Sequence, residues 1–330
     1  MFDALLLFFI LTSMALSALL TALVRKILLK RQMMDIPNER SMHKVPVPRG
    51  GGLAIVAVIL AGLLFAYPNA YLLGGTLLLA TISLIDDKKG LKASLRLFFH
   101  LVAAVIGLLA LGHNNLLFGG VLPVWIDHAL LVLGWAWFMN LYNFMDGIDG
   151  ITGTQTITTA SAVMIVIASA HLDIPFGDYF LIAFIIGACS GFLFFNWPPA
   201  KIFMGDVGSV PLGFLMGYLF LRLACDGHLL SALLIPLYYL ADSGITLVRR
   251  ALRREKIWQA HRQHFYQRAT LGEGGPKKVL FSILLANIGL VFASETALSR
   301  PWLGSLVGVG IVLALLARLS LSARKNQTNR

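Results

Sequence analysis

Residues 2–24 read "FDALLLFFILTSMALSALLTALV", and Arg25 and Lys26 follow at once. The run holds a single charge, Asp3, and a helix needs about 20 mainly apolar residues to cross a bilayer. A cleaved leader opens on a basic segment, which is missing here, so the run is expected to persist as a first helix with its N-terminus outside. The pattern recurs along the chain. Apolar segments fall at 2–24, 51–67, 70–86, 95–112, 126–143, 151–170, 178–195, 209–224, 228–248, 279–295 and 301–322. They give about eleven candidate spans, with Pro68 and Asn69 dividing the second from the third.

The composition agrees. The 330 residues are 58% hydrophobic and only 13% charged, with a mean hydropathy of +0.79; a soluble domain carries about 25% charged residues. The expected fold class is all-α, a polytopic membrane helix bundle forming one domain over 1–330. The formal charge of +11 points to loop Lys and Arg in such a protein, and not to nucleic acid. Cys189 and Cys225 lie in apolar stretches and offer neither a disulfide framework nor metal-ligand spacing.

Basic residues set the expected orientation. With the N-terminus outside, every Lys and Arg except Arg222 and Arg300 falls in a segment following an odd-numbered helix. That is the cytoplasmic side under the positive-inside rule, and it puts the C-terminus there too. Five polar stretches share this side: "DIPNERSMHKVPVPRGGG" (35–52), "DDKKGLKASLR" (86–96), "NFMDGIDG" (143–150), "FNWPPAKIFMGDVGS" (195–209) and "RRALRREKIWQAHRQHFYQR" (249–268). The opposite loops are short.

Asp86, Asp87, Asp146, Asp149 and Asp206 stand at the ends of apolar segments on that one side. Carboxylates next to hydrocarbon are costly, so they tend to face a polar cavity or a partner. A lone Asp there is as well explained as a helix cap; repetition on one side favours a shared site. Asp146 and Asp149 are three residues apart and share a face if the turn is helical. Hard oxygen donors of this kind suit Mg²⁺, which takes one or two carboxylates together with substrate phosphate oxygens. In "GDVGS", backbone N–H groups at a helix start offer a place for a phosphate. Lys88, Lys89, Lys92, Arg96, Lys201 and the cluster from Arg249 to Arg268 add groups able to bind phosphates or anionic headgroups, although topology alone accounts for many of them. His261 and His264, beside Arg262 and Arg268, stand out; the bland alternative is an interfacial amphipathic segment.

At these residues the chain resembles the polyprenyl-phosphate N-acetylhexosamine-1-phosphate transferase family, glycosyltransferase family 4. The likeness runs from about Asp35 to Arg268 and rests on "DIPNERSMHKVPVPRGGG", "DDKKGLKASLR", "NLYNFMDGIDG" and "NWPPAKIFMGDVGS". It implies a multi-pass enzyme of the bacterial inner membrane that transfers a sugar 1-phosphate from a UDP-sugar to undecaprenyl phosphate, releasing UMP, with Mg²⁺ (Mn²⁺ as a substitute). By this resemblance Asp206 is the metal ligand, and Asn143, Asp146 and Asp149 line the nucleotide and diphosphate site. Phe203 stacks on uracil and Asn196 supports the nucleotide pocket. Asp86 and Asp87 are catalytic candidates near the lipid phosphate, and His43 and Arg49 match the first-loop pattern. Asp242 and Arg250 fall where the family has an Asp and a basic residue. Many relatives carry "H-x-H-H" where this chain has "HFYQ", His264 to Gln267. His264 remains the catalytic candidate of that loop, with His261, Arg262 and Arg268 as substrate-binding candidates. The departure suggests the O-antigen-initiating branch that uses 6-deoxy N-acetyl sugars. The last two apolar segments are expected to pack the bundle or a homodimer interface. The rival reading is a transporter for an anionic or lipid-linked sugar. Such proteins place ionisable groups near the bilayer midplane in paired repeats, and none is visible.

Overall fold

The computed structural model describes residues 2–37, 42, 45–112, 116–256, 259, 261–272 and 275–325. The described chain is helical almost throughout. Its helices are α1 (Phe2–Lys30), α2 (Gly52–Phe65), α3 (Ala70–Lys89), α4 (Ala93–Leu111), α5 (Val124–Phe144), α6 (Ile151–Ser169) and α7 (Phe176–Asn196). They continue with α8 (Asp206–Leu223), α9 (Leu229–Leu234), α10 (Leu237–Leu252), α11 (Phe265–Thr270), α12 (Gly275–Ser299) and α13 (Pro301–Lys325). The polytopic all-α class expected from the apolar runs is therefore what the chain adopts.

The number of spans differs from the expected eleven. Among the described residues, nine helical runs are long and apolar enough to cross a membrane by length and composition. The 14-residue α2 is apolar but short. The expected segment 228–248 is not one helix: it breaks between α9 and α10 at Pro236, whose ring removes the N–H that a continuous ladder needs. The run over Asp206–Leu234, counted among the nine, bends sharply inside. Gly227 takes φ +91° there, outside helical geometry. The bend is a reversal, because α8 starts at the functional cleft described below and α10 brings Asp242 back to it.

Helix α8 is the hub. It packs against α2, α3, α4, α5, α6 and α9, and nearly every residue from Val207 to Phe220 is buried. Trp135 of α5 stacks on Phe214 at 5.1 Å between ring centres, and its indole N–H donates to the Phe214 carbonyl at 2.9 Å. Peripheral helices turn large apolar side chains outward, among them Leu7, Phe8 and Leu19 of α1 and Phe281 and Phe292 of α12. That outward apolar surface belongs in lipid.

One small non-helical element positions the site. Strand β1 (Met34–Asp35) pairs antiparallel with β2 (Val47–Pro48), with Met34 opposite Pro48 and Asp35 opposite Val47. The chain then runs on beside the segment before α8: Phe203 N–H donates to the Pro48 carbonyl at 2.8 Å, and Gly51 N–H to the Phe203 carbonyl at 2.8 Å. The two segments lead into α2 and α8, whose first turns touch backbone to backbone. A Cβ at Gly52 would stand 2.3 Å from Gly208 Cα, so only glycine fits this approach.

Candidate functional site

The five polar stretches meet at one end of the bundle. Between them lies an open cleft of about 430 Å³, lined by Asp35, Arg49, Asn143, Asp146, Asp206, His264 and their neighbours. All five come from the ends of helices α1, α3, α5, α7 and α10. Each apolar helix thus ends in a polar turn at the same level.

Arg49 occupies the middle of the carboxylates. Its Nη2 lies 2.7 Å from Asp206 Oδ1 and 3.1 Å from Asp87 Oδ1, and its Nη1 lies 4.0 Å from Asp35 Oδ2. Burial alone works to lower its pKa; Asp206, Asp87 and Asp35 outweigh it and hold the guanidinium above its ordinary value. Arg96, on the first turn of α4, pairs with Asp86 at 3.2 Å and reaches to 4.0 Å from Asp206. Asp86 also accepts from the Leu91 N–H, and Val207 N–H approaches Asp87 Oδ2 at 3.4 Å. Asp86, Arg96 and Asp206 line a small recess beside the main cleft together with Ser83, His100 and Asn140.

Asp206, at the first position of α8, is further tied to α5. Asn143 Nδ2 donates to Asp206 Oδ2 at 3.3 Å, and Ser209 Oγ donates to Asn143 Oδ1 at 2.8 Å. Asp146 sits in the turn after α5. Burial, with Asp206 and Asp149 nearby, pushes its carboxyl from 3.8 up to about 6, against the opposing pull of Thr152 and Arg49.

Asp149 and Asn196 line the cleft and also hold its walls together. Asp149 Oδ2 accepts from the Ala200 N–H at 2.9 Å. Asn196 Oδ1 accepts from the Gly150 N–H and its Nδ2 donates to the Ile202 carbonyl, each at 2.9 Å. The α5–α6 and α7–α8 turns are thereby stapled together. Phe203 lines the cleft half-buried, held by the backbone pairing with Arg49.

The other wall comes from the α10–α11 loop. His264 and Asp242 meet at 3.1 Å between Nδ1 and Oδ1. The buried Asp242 also accepts the N–H groups of Phe265 and Tyr266 and the Tyr238 hydroxyl. His261 stacks on His264 with ring centres 4.9 Å apart; burial, then His264 and Arg250, lower its pKa to about 4. Arg250 is buried and folds the loop itself, reaching Glu255 Oε2 at 2.9 Å and the Lys256 carbonyl at 2.9 Å. Arg262 and Arg268 are exposed and stand outside the cleft lining. His43 lies outside the described residues.

Among the described residues, no three His, Cys, Asp or Glu side chains form a metal cage. Mg²⁺ does not require one, since one or two carboxylates plus phosphate oxygens and water suffice. The donor set at Asp206 is oxygen only, lies at the cleft edge and faces guanidinium groups able to take phosphate. It fits a Mg²⁺ shared with a phosphorylated substrate.

Several site residues escaped the sequence. Asp35 opens one of the quoted stretches but is not singled out there as a site residue. His100 and Asn140, 2.8 Å apart between Nδ1 and Nδ2, were legible as polar residues inside apolar helices. Gln267 and Gln259 line the cleft without any pattern that would single them out.

Comparison with known proteins bears on this geometry. Residues 69–224 match the model of glycosyl transferase family 4. The chain is 27% identical over 290 residues to a probable undecaprenyl-phosphate N-acetylglucosaminyl 1-phosphate transferase of Bacillus subtilis, covering 83% of this chain and 79% of that protein. It is 29% identical over an alignment of 356 residues to a decaprenyl-phosphate N-acetylglucosaminephosphotransferase of Mycolicibacterium smegmatis, covering 94% and 86%. Over 207 residues it is 35% identical to a phospho-N-acetylmuramoyl-pentapeptide-transferase of Wolbachia pipientis, covering 55% and 61%.

Proposed function

We propose that the chain is a polyprenyl-phosphate N-acetylhexosamine-1-phosphate transferase of glycosyl transferase family 4, and that it transfers an N-acetylated sugar 1-phosphate from a UDP-sugar to undecaprenyl phosphate. The products are UMP and undecaprenyl-diphosphate-sugar, and the step initiates a cell-surface glycan such as O-antigen. The observation that carries this reading is the convergence of Arg49, Arg96, Asp87, Asn143 and Asp206 at one end of an apolar helix bundle. A phosphorylated lipid in the bilayer and a soluble nucleotide meet there without either leaving its phase.

In this reading the lipid phosphate lies against Arg96 and Asp86, and the sugar nucleotide lies along Asn143, Asp146 and Phe203. One lipid phosphate oxygen attacks the phosphorus that carries the sugar. A new P–O bond forms, the bond from that phosphorus to the oxygen bridging to UMP breaks, and UMP leaves with the electron pair. Such transfers depend mainly on position and charge stabilisation. Arg49 and Arg96 orient phosphates, while Asp86 and Asp87 orient the attacking group. Asp206, together with substrate oxygens, would hold a Mg²⁺, which would supply neutralising charge on the diphosphate. Attack is direct, because a phosphate is already anionic and needs no aspartyl intermediate. The cleft faces the cytoplasm of a bacterial inner membrane, with the N-terminus outside, and the whole chain forms one transferase domain. Helices α12 and α13 carry none of this chemistry and pack the bundle or a homodimer. With Tyr266 and Gln267 replacing two signature histidines, the preferred sugar is a 6-deoxy N-acetyl sugar.

The test is UMP release by purified protein across a panel of UDP-sugars, with and without undecaprenyl phosphate and Mg²⁺, and with the lipid product identified by mass. Release that needs both supports the reading; no release with any sugar overturns it. Sugar-phosphate trapped on the protein without lipid would overturn direct attack.

A further inference from the structure

The altered signature "HFYQ" has a structural counterpart. Tyr266 is fully buried and is not part of the cleft lining, whereas His264 and Gln267 are. Its hydroxyl instead donates to the Phe144 carbonyl at 3.1 Å, at the last residue of α5. A Cβ added to Gly147 would stand 2.2 Å from that hydroxyl and 3.0 Å from Gln267 Nε2. The side chains of residues 266 and 267 therefore press on the Asp146–Asp149 turn from behind.

The other end of this strut is fixed as well. The Tyr266 N–H donates to Asp242 Oδ2 at 3.2 Å, and Asp242 is wholly buried on α10. Gln267 Oε1 accepts the His264 N–H at 3.3 Å, closing the first turn of α11. A tyrosine anchored at its backbone and bonded at its hydroxyl spans the gap between α10 and α5. A histidine side chain is too short to do the same.

We propose that Tyr266 is a positioning residue for the sugar-nucleotide side of the site: its hydroxyl fixes the turn from Phe144 to Asp149, and with it the Asp146 carboxylate. This rests on the proposed transferase reading only for its kinetic consequence. The brace is a statement about this chain's own backbone. It also gives the departure from the histidine signature a purpose, since the tyrosine here is a support behind the turn.

The experiment compares wild type, Tyr266→Phe, Gly147→Ala and the double variant, each as full-length protein in lipid nanodiscs. Hydrogen exchange at residues 144–149 is measured alongside KM for the UDP-sugar and for undecaprenyl phosphate. Tyr266→Phe removes the hydroxyl's bond to Phe144 and its contacts with the Gly147 backbone and Gln267, so exchange in the turn should speed up and KM for the UDP-sugar should rise roughly three- to tenfold. KM for the lipid stays unchanged. Gly147 is not among the left-handed glycines, so alanine there is opposed by the hydroxyl and not by its own backbone. Gly147→Ala should therefore be impaired, and the double variant should recover in part relative to Gly147→Ala alone because the closest opposing atom is gone. Unchanged exchange in Tyr266→Phe, an equal rise in both KM values, or strictly additive effects would each overturn the proposal. Wild type that releases no UMP refutes the transferase reading, while the exchange comparison still decides the brace.

Discussion

Replacing Asp146 by Asn should stabilise the protein, and by more at alkaline pH than at acid pH. The carboxyl is pushed from 3.8 to about 6, first by burial and then by Asp206 and Asp149. A raised carboxyl pKa means the folded state binds the proton more tightly than the unfolded chain. The stability tied to that proton is complete below about pH 4 and is lost as pH rises through 6. One pKa unit is worth about 1.4 kcal/mol, so the shift corresponds to about 3 kcal/mol across the whole window. Between pH 5 and pH 7.5 the wild type should lose about 1.4 kcal/mol that the Asn variant, neutral throughout, keeps. These are upper figures, because part of Asp146 faces the open cleft. The assay is thermal unfolding of both proteins at the two pH values, read as a difference of differences. Titrating groups remote from Asp146 cancel in that comparison, and so does any fixed packing effect of the amide. An identical gap between the proteins at both pH values, or one that widens toward acid, would refute the reasoning. UMP release should fall in the same variant, which makes Asp146 a residue retained at the expense of stability.

Other perturbations have equally definite outcomes. Asp206→Asn should abolish UMP release while the protein still elutes folded from membranes; near-normal Mg²⁺-dependent release would remove Asp206 from the metal site. Chelation with EDTA should stop turnover and added Mg²⁺ or Mn²⁺ should restore it, whereas turnover indifferent to chelator would exclude the metal. Gly52→Ala forces a methyl to 2.3 Å from Gly208 Cα, and it should cost at least about 1–3 kcal/mol in unfolding experiments. Asn196→Ala loses two buried hydrogen bonds at 2.9 Å and should cost about 1–3 kcal/mol; unchanged melting would show that the two turns hold each other without it.

The helices were legible because hydrocarbon demands long apolar runs, and the shared end of the five loops was legible because Lys and Arg crowd it. What the sequence hid was mostly contact made at a distance. The resemblance implies that Asn196 supports a nucleotide pocket, but not how: it lines the cleft with its amide bonded to the backbone of Gly150 and Ile202. Asp242 showed only as an acid at a family position, whereas it gathers four groups, the Tyr238 and His264 side chains and the Phe265 and Tyr266 N–H groups. Arg262 and Arg268 have the right charge and the right neighbours, but both are exposed outside the cleft lining, Arg268 on α11 and Arg262 in the loop before it. The break at Pro236 lies within a continuous apolar run, so hydropathy alone does not mark it. Charge and hydropathy report on which phase a segment occupies, and they carry no information on which way a side chain leaves its turn.

The backbone contact between Gly52 and Gly208 has a further consequence. It sets the N-terminal ends of α2 and α8 side by side at the edge of the cleft. Each helix start carries a partial charge of about +0.5 from its aligned peptide dipoles. Together they amount to about one positive charge beside Asp87 and Asp206. Unlike a guanidinium, this charge has no proton to lose and no side chain to swing away. It offsets part of the carboxylate charge in every state of the protein, before any substrate arrives. Two residues without side chains thus fix the resting potential of the site, and a substitution at either would alter that potential without changing a single charged group.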